Sequence, residues 1–240
     1  MIFVMDRNRM IQVGLLLLVW SFLQRTPRGV PLGTAALELA LQVAVFVVAI
    51  SLHEFAHAFV ATRLGDPTPR MTGRLTLDPR AHLDPLGTLL IFVVNFGFAK
   101  PVLTNPAYFR RPDRDSILVA LAGPAMNLAL CAASILAVRE LFPDLMMATT
   151  SWWPLWKQAL KFLLLSSAIL NAVLAVFNLL PIPPLDGSHL LERALSGRQL
   201  VAYRQNQMLI SIVGLVLLMA GLFSPLFAAV ERQVLVLCAT

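Results

Sequence analysis

The fold is decided by residues 33–64, which read GTAALELALQVAVFVVAISLHEFAHAFVATRL. The segment is apolar over more than the roughly 20 residues that a helix needs to cross the hydrocarbon core of a bilayer. It nevertheless contains His53, Glu54 and His57 well inside its apolar run. Ionisable side chains at membrane depth cost free energy unless they are paired or bind a metal, so they are functional candidates by default. The segment therefore predicts a membrane helix that carries a polar site.

The spacing of the two histidines indicates a metal site. On an α-helix, His53 and His57 lie one turn apart on one face, so both imidazoles can reach a single metal ion while Glu54 lies beside it. This H-E-x-x-H arrangement is typical of zinc hydrolases, in which the glutamate is the general base. The structural alternative is a pair of helix histidines hydrogen-bonded across a bundle. The apolar surroundings favour the metal site.

The composition indicates an integral membrane protein. Of the 240 residues, 58% are hydrophobic and 13% are charged, against about half and about a quarter in an ordinary soluble domain. The net charge of +6 does not indicate a nucleic-acid-binding protein, because the basic residues lie in short connectors between apolar segments. Membrane topology and lipid headgroups account for such a pattern. The two cysteines, Cys131 and Cys238, support neither a disulfide framework nor a cysteine-based zinc site.

The apolar segments predict an all-α polytopic membrane protein with about five to six transmembrane helices. The strong segments run from about 10 to 24, 34 to 64, 115 to 138, 159 to 181 and 207 to 230. The first is expected to be an uncleaved span, because no small-x-small cleavage site follows it. A shorter segment, 86–104, is expected to re-enter the membrane or to form a hairpin, with a second full span as the alternative.

Residues 71–79, MTGRLTLDP, alternate apolar and polar side chains and predict a short β-strand. A strand beside a membrane site needs a partner for its backbone, and the hairpin element that follows is a candidate. If that element returns to its own side, most basic connectors share one face, which the positive-inside rule makes cytoplasmic. His53 would then lie roughly 16 Å from the end of its helix, on the cytoplasmic side of mid-membrane.

A third metal ligand is expected within residues 177–189, FNLLPIPPLDGSH, because a catalytic zinc site uses three protein ligands and an open water position. The three prolines break the helix, and broken backbone at membrane depth is tolerated where it lines a cavity. Asp186, held on this break, is the preferred ligand. His189 is the alternative, because imidazole also binds zinc. His82 is expected to be a loop or interface residue.

Four motifs together resemble the site-2 protease family of intramembrane zinc metalloproteases: HEFAH (53–57), GRLTLDP (73–79), AGPAMN (122–127) and NLLPIPPLDG (178–187). The resemblance covers residues 40 to 190. Its most specific part is the order of the two metal motifs, both in apolar segments. It implies hydrolysis of peptide bonds within or near transmembrane segments of other membrane proteins.

The resemblance also implies a role for each site residue. His53, His57 and Asp186 would bind one zinc ion, and Glu54 would be the catalytic base. Asn178 would help to hold the substrate or the developing oxyanion. The predicted strand and hairpin at 73–104 would guide an extended substrate. A zinc-binding membrane protein without proteolytic activity, such as a metal transporter or a substrate-retaining scaffold, is the alternative, and Glu54 favours the enzyme.

Three parts of the chain are expected: an N-terminal transmembrane helix and connector (1–32), a catalytic membrane core (33–190) and a C-terminal transmembrane region (191–240). The sequence contains neither the PDZ insert nor the CBS tail of other branches of the family, so it resembles the compact branch. The expected location is a bacterial or archaeal cell membrane, with the active site toward the cytoplasm. The expected partners are a transmembrane protein substrate and the lipid bilayer, and no nucleic acid.

Two further groups are expected to be structural. Gly123-Pro124 and Asn127 are typical of a close helix contact and a polar interhelical hydrogen bond, with a role in shaping the cavity as the alternative. The aromatic belt that marks a membrane interface is expected at Trp152, Trp153 and Trp156, beside Lys157.

Overall fold

The computed structural model describes residues 31–84, 100–143 and 153–240. These residues are mostly helical, and apart from a single bridge residue, Leu83, they contain no β-strand. The helices are, in chain order, α1 (Leu32–Arg63), α2 (Thr68–Met71), α3 (Pro79–His82), a short 3-10 helix (Pro106–Tyr108), α4 (Pro112–Leu141), α5 (Leu155–Asn178), α6 (Asp186–Ala194), α7 (Gly197–Gln205), α8 (Gln207–Met219) and α9 (Ser224–Ala239).

Within these described ranges, α1, α4 and α5 are each long and apolar enough to cross a membrane. Helices α7 and α8 meet the same criterion as a pair but are bent by 67° relative to each other, as in a broken span or a re-entrant element. The prediction of a helical, multi-pass membrane protein is confirmed, and the larger number of crossings stays a prediction. The predicted span at 10–24 and the part of the predicted re-entrant segment up to residue 99 lie outside the described residues.

The residues at the start of α4 favour the beginning of a helix at this point. Pro112 occupies its first turn, where the missing N–H removes no helical hydrogen bond. Asp113 and Asp115 follow, and carboxylates in the first turn are stabilised by the helix dipole. Asp115 Oδ2 also accepts a hydrogen bond of 3.0 Å from the backbone N–H of Arg111. The helix therefore begins at a polar end and continues as an apolar span.

Helix α4 is central to the bundle, because it packs against both α1 and α5. Helix α9 covers α4 and α5, and the buried residues of this contact are small or medium in size: Cys131, Val138, Ala168, Ala172, Val234 and Cys238. Small side chains allow helix backbones to approach closely in a membrane, where packing replaces the hydrophobic effect as the driving force. This packing holds α4, α5 and α9 together, and α1 packs separately against α4 and α5.

The predicted strand at 71–79 is wrong. Helix α2 ends there in a turn, in which Gly73 has a φ of 70°. The backbone N–H of Arg74 donates to the Pro69 carbonyl at 2.8 Å. Asp78 then caps α3 by accepting from the backbone N–H of Arg80 at 3.0 Å. Because these groups are satisfied by neighbours in sequence, the alternating side chains belong to consecutive turns instead of a strand.

The helix break predicted at the prolines is present. Helix α5 ends at Asn178, and α6 begins at Asp186. The first turn of α6 folds back onto the end of α5, and a Cβ atom added at Gly187 would lie 2.2 Å from the Leu179 carbonyl oxygen. Only glycine permits so close an approach of two backbone segments. The break therefore fixes the position of Asp186 relative to α5.

The aromatic residues at the start of α5 lie at the other end of this helix. Trp153 is buried against Phe142, with ring centroids 5.6 Å apart, and Lys157 Nζ lies 4.2 Å from the centroid of the Trp153 ring. Trp156 is exposed. Trp152 lies outside the described residues. The interface belt stays a prediction.

Candidate metal centre

Three side chains from α1 and α6 converge at one point in the bundle. His53 Nε2 lies 3.2 Å from Asp186 Oδ2, and His57 Nε2 lies 3.3 Å from Asp186 Oδ1. The two Nε2 atoms are 3.0 Å apart. Both histidines are buried. Two imidazoles and one carboxylate at this separation could hold a metal ion.

The outer nitrogens of both imidazoles are bonded to α4. His57 Nδ1 donates to the Val119 carbonyl oxygen at 2.7 Å, and His53 Nδ1 lies 2.5 Å from Asn127 Oδ1. A metal-binding histidine usually donates its second ring N–H to an oxygen in this way, which fixes the orientation and tautomer of the ring. In the neutral form of each ring, Nε2 then carries a lone pair.

The chemistry of these atoms fits a bound cation. The two Nε2 atoms face each other and the Asp186 carboxylate, so in the neutral form of both rings their lone pairs converge with the carboxylate oxygens. Asp186 Oδ2 is buried and has no hydrogen-bond donor in the described part of the chain. Buried acceptors are normally satisfied by a donor or by a metal ion. A divalent cation would satisfy all three groups at once.

Helix α4 closes one side of the site through a glycine. A Cβ atom added at Gly123 would lie 2.4 Å from His57 Nε2 and 2.5 Å from His53 Nε2. The backbone of α4 therefore passes directly over both imidazoles, and it lies so close to them that a side chain at position 123 would clash with the rings. The close helix contact expected at Gly123 is present, and its role in shaping the cavity stays a prediction.

Glu54 lies beside the candidate ligands and is 8% exposed. Its Oε2 accepts a hydrogen bond of 3.3 Å from the backbone N–H of Val102. Val102 belongs to an irregular segment, 100–105, that lines the same cavity as Glu54. This carboxylate is therefore held at the cavity by a neutral donor, with no cationic side chain paired to it among the contacts of the described residues.

A cavity of about 720 Å³ joins these groups. Its inner part is lined by the candidate ligands, Glu54 and apolar side chains of α1, α4 and α5, and its polar end includes His189, Glu192, Arg193 and Arg204. The cavity is large enough for a stretch of polypeptide. One end therefore holds the candidate ligands, whereas the other is charged.

The remaining predicted residues lie outside the ligand cluster, and two of them line the same cavity. Asn178 lines the cavity, and its Nδ2 donates to the Leu174 carbonyl at 3.0 Å. His189 also lines the cavity but is not part of the ligand cluster. His82 is fully buried and its Nε2 donates to the Thr76 carbonyl at 2.8 Å, so it is a structural residue near the turn.

Two buried polar residues were not found from the sequence. Asn171 on α5 is 2% exposed and accepts from Asn127 Nδ2 at 2.8 Å. Asp66 is fully buried and accepts from the backbone N–H groups of Thr68 and Asn105, at 2.9 and 2.6 Å. A lone Asn in an apolar segment was a signal for the first. Asp66 lies shortly after the end of α1 and directly before a proline, a pattern that indicates a turn but does not identify its distant partner.

The family model described as peptidase family M50 matches residues 41–221. This chain belongs to peptidase family M50. The match includes the H-E-x-x-H helix and the segment that carries Asp186, and it confirms the predicted relationship to the site-2 proteases. Zinc is the metal that fits both the M50 assignment and a His-His-carboxylate ligand set.

Relatives of this M50 chain include YwhC of Bacillus subtilis, which is 40% identical over 153 residues, or 61% of this chain and 65% of YwhC. Rip2 of Mycobacterium tuberculosis is 39% identical over 155 residues, or 62% of this chain and 55% of Rip2. Both are named as candidate zinc metalloproteases. The chain thus spans less than two-thirds of the length of these relatives. No solved structure gives a significant match.

Proposed function

We propose that this M50 chain is an intramembrane zinc metalloprotease that hydrolyses peptide bonds within or near transmembrane segments of other membrane proteins. The observation that carries the proposal is that a buried carboxylate, Glu54, and the His53–His57–Asp186 cluster line a single cavity between membrane-length helices. A hydrolase needs a base beside its metal ligands, whereas a transport or storage site does not. His53, His57 and Asp186 are the proposed ligands.

Glu54 is the proposed general base and acid. Zinc, when bound, supplies a Lewis acid that activates water and polarises the scissile carbonyl. Glu54 takes a proton from the attacking water as its oxygen bonds to the carbonyl carbon, and gives that proton to the leaving nitrogen as the C–N bond breaks. The low exposure of Glu54 keeps the carboxylate largely away from bulk water, where its proton transfers would compete with solvent.

Asn178 is proposed to bind the substrate backbone. Its side chain lines the cavity, and one N–H is used in the bond to the Leu174 carbonyl. A primary amide has a second N–H donor, which is available to a substrate carbonyl as negative charge develops on its oxygen. The proposed contribution is modest because a single neutral donor is involved.

A substrate helix must unwind before it can react, because its carbonyls are bonded to N–H groups four residues along the chain. The cavity is lined on one side by Pro101, Val102 and Thr104 of the irregular segment 100–105. This segment is proposed to contact the unwound stretch and to supply backbone groups to it. The residues at 71–79 are not part of this proposal, because they form turns.

The cytoplasmic end of the cavity is proposed to be its charged end. Arg193 and Arg204 line that end, and Arg110, Arg111 and Arg114 lie at the start of α4, to which Arg193 is joined by an ion pair with Asp113. Concentrated basic residues at one end of several spans favour the cytoplasmic side. Water would then reach the metal site from the cytoplasm.

The proposal is tested with the full chain purified in detergent and a panel of single-span membrane proteins. Cleavage is measured before zinc removal by a chelator, after removal and after zinc is restored, and the cut sites are mapped by mass spectrometry. Loss and recovery of cuts within or next to the apolar span support the proposal. Zinc bound at one ion per chain without cleavage of any panel member, including those offered in lipid vesicles, would move the non-proteolytic alternative ahead.

A further inference from the structure

A series of hydrogen-bonded, buried polar side chains runs from the candidate metal centre into the middle of the bundle. Asn127 on α4 is fully buried, and Asn171 on α5 is 2% exposed. Polar groups inside a membrane bundle are costly unless they are fully bonded, and they often mark functional positions. These two amides bond to each other and to His53, so they join α1, α4 and α5 at a single point.

A single backbone carbonyl fixes which group donates and which accepts in each hydrogen bond of this series. The Ser167 carbonyl can only accept, so the Asn171 group 2.9 Å from it is the NH2. Asn171 Oδ1 therefore faces Asn127 and accepts from Asn127 Nδ2 at 2.8 Å. Asn127 then presents Oδ1 to His53 Nδ1 at 2.5 Å. His53 Nδ1 must carry the proton, and Nε2 is left with a lone pair.

We propose that Asn127 and Asn171 are positioning residues that lock His53 in the tautomer required for metal binding. The inference rests on the proposed function, because it concerns the same metal site. If the Asn127 amide turned over, its NH2 would face His53 Nδ1, and the proton of His53 would move to Nε2. That N–H would point at Asp186 Oδ2, which lies 3.2 Å away, and would occupy the position of the metal.

The two histidines differ in how they are locked. His57 donates to the Val119 backbone carbonyl, an acceptor that cannot turn over. His53 donates to a side-chain amide, which has a donor on one side and an acceptor on the other. Asn171 removes that ambiguity through its bond to the Ser167 carbonyl. The lock is therefore needed for His53 and not for His57.

The test compares zinc affinity in wild type, Asn171→Leu and Ser167→Ala by competition with a chelator. Asn171→Leu removes the acceptor that orients Asn127 while keeping a similar volume. Ser167→Ala removes a half-buried hydroxyl that is hydrogen-bonded to the Ser134 hydroxyl at 2.8 Å and lies 3.4 Å from Asn171 Nδ2, but it retains the backbone carbonyl. We expect a loss of about 10- to 100-fold in zinc affinity for Asn171→Leu, and wild-type affinity for Ser167→Ala.

A rescue variant separates polarity from packing. In Asn171→Asp, a protonated carboxyl would donate to the Ser167 carbonyl and accept from Asn127. The donor and acceptor roles along the hydrogen-bonded series are then retained. We expect its zinc affinity to be within a few fold of wild type. Equal losses in Asn171→Asp and Asn171→Leu would indicate a packing role and overturn the inference.

The tautomer itself is measured by 15N NMR of histidine-labelled, zinc-free protein, since the chain has only four histidines. Wild type and Ser167→Ala should show the proton on Nδ1 of His53, and Asn171→Leu should show it shifted toward Nε2. His57 should keep its tautomer in all of them and serves as the internal reference for a folded site.

The outcomes separate this inference from the proposed function. A proton on Nε2 of His53 in zinc-free wild type overturns the inference without any variant. Zinc affinity and tautomer that are the same in wild type and Asn171→Leu also overturn it, while the proposed function stands. Failure of wild type to bind zinc overturns the proposed function, whichever tautomer His53 has.

Discussion

Gly123 on α4 lies so close to His53 on α1 that a Cβ atom at position 123 would be 2.5 Å from His53 Nε2. The absence of a side chain at this one position leaves open the space beside the Nε2 atoms of two candidate ligands, His53 and His57. The contact also brings the AGPAMN motif of α4 against the HEFAH motif of α1. One motif supplies the imidazoles, and the other supplies the space and the acceptor for His53.

Gly123→Ala is expected to weaken zinc binding by about 10- to 100-fold, because overpacking costs about 1–3 kcal/mol and here it falls directly on the ligand nitrogens. The measurement is zinc affinity by chelator competition. Gly33→Ala is the matched control, since a Cβ atom there meets nothing within 4 Å. Equal zinc affinities of Gly123→Ala and wild type would show that α4 is not close to the imidazoles.

Asp186→Asn is expected to abolish stoichiometric zinc binding, because a neutral amide replaces the one anionic ligand of the cluster. His189→Gln is the control, since His189 lines the same cavity outside the ligand cluster. Zinc content after size-exclusion chromatography is the readout. Retention of zinc by Asp186→Asn together with its loss from His189→Gln would assign the third ligand to His189.

Gly187→Ala is expected to reduce both stability and zinc content, because a Cβ atom would meet the Leu179 carbonyl oxygen at 2.2 Å and would push the first turn of α6 away from α5. The expected loss of stability is about 1–3 kcal/mol, measured by thermal unfolding in detergent. Zinc affinity should fall in parallel, because Asp186 directly precedes the displaced residue. An unchanged zinc affinity would mean that α6 can move without moving Asp186.

Asp66→Asn is expected to destabilise the protein by about 1–3 kcal/mol while leaving zinc affinity unchanged. Asp66 accepts from two backbone N–H groups, those of Thr68 and Asn105, and an amide offers one oxygen for the two donors. Thermal unfolding measures the loss. A Tm equal to that of wild type would show that the segment 100–105 is not held by this residue.

Zinc removal is expected to lower the unfolding temperature of wild type. A ligand present at about 100 times its Kd stabilises the folded state by about 2.7 kcal/mol. Asp186→Asn should show no difference in Tm between chelator and zinc, because its site no longer binds the ion. A zinc-dependent Tm in that variant would indicate a second zinc site elsewhere in the chain.

The sequence predicted the parts of the fold and site that depend on local patterns. The i, i+4 spacing of His53 and His57 and the prolines before Asp186 each act within one element, and the structure brings these three side chains together. Long apolar segments likewise predicted α1, α4 and α5, because membrane crossing is governed by length and apolarity.

Features that depend on contacts between distant segments were missed. Asn127 was expected to make an interhelical bond, but nothing in the sequence pairs it with Asn171, 44 residues away on another helix.

The strand predicted at 71–79 was wrong for a local reason. Alternation alone does not distinguish a strand from consecutive turns, and here the Pro69 carbonyl accepts from the backbone N–H of Arg74.

The measurement that tests the central claim most directly compares wild type with Glu54→Gln, each with its bound zinc determined, on one single-span protein that wild type cleaves. We expect equal zinc in both proteins and a rate of cleavage at least about 100-fold lower in Glu54→Gln, because general acid–base catalysis contributes about 100- to 10,000-fold. Cleavage by Glu54→Gln at the wild-type rate, with equal zinc, would contradict the account.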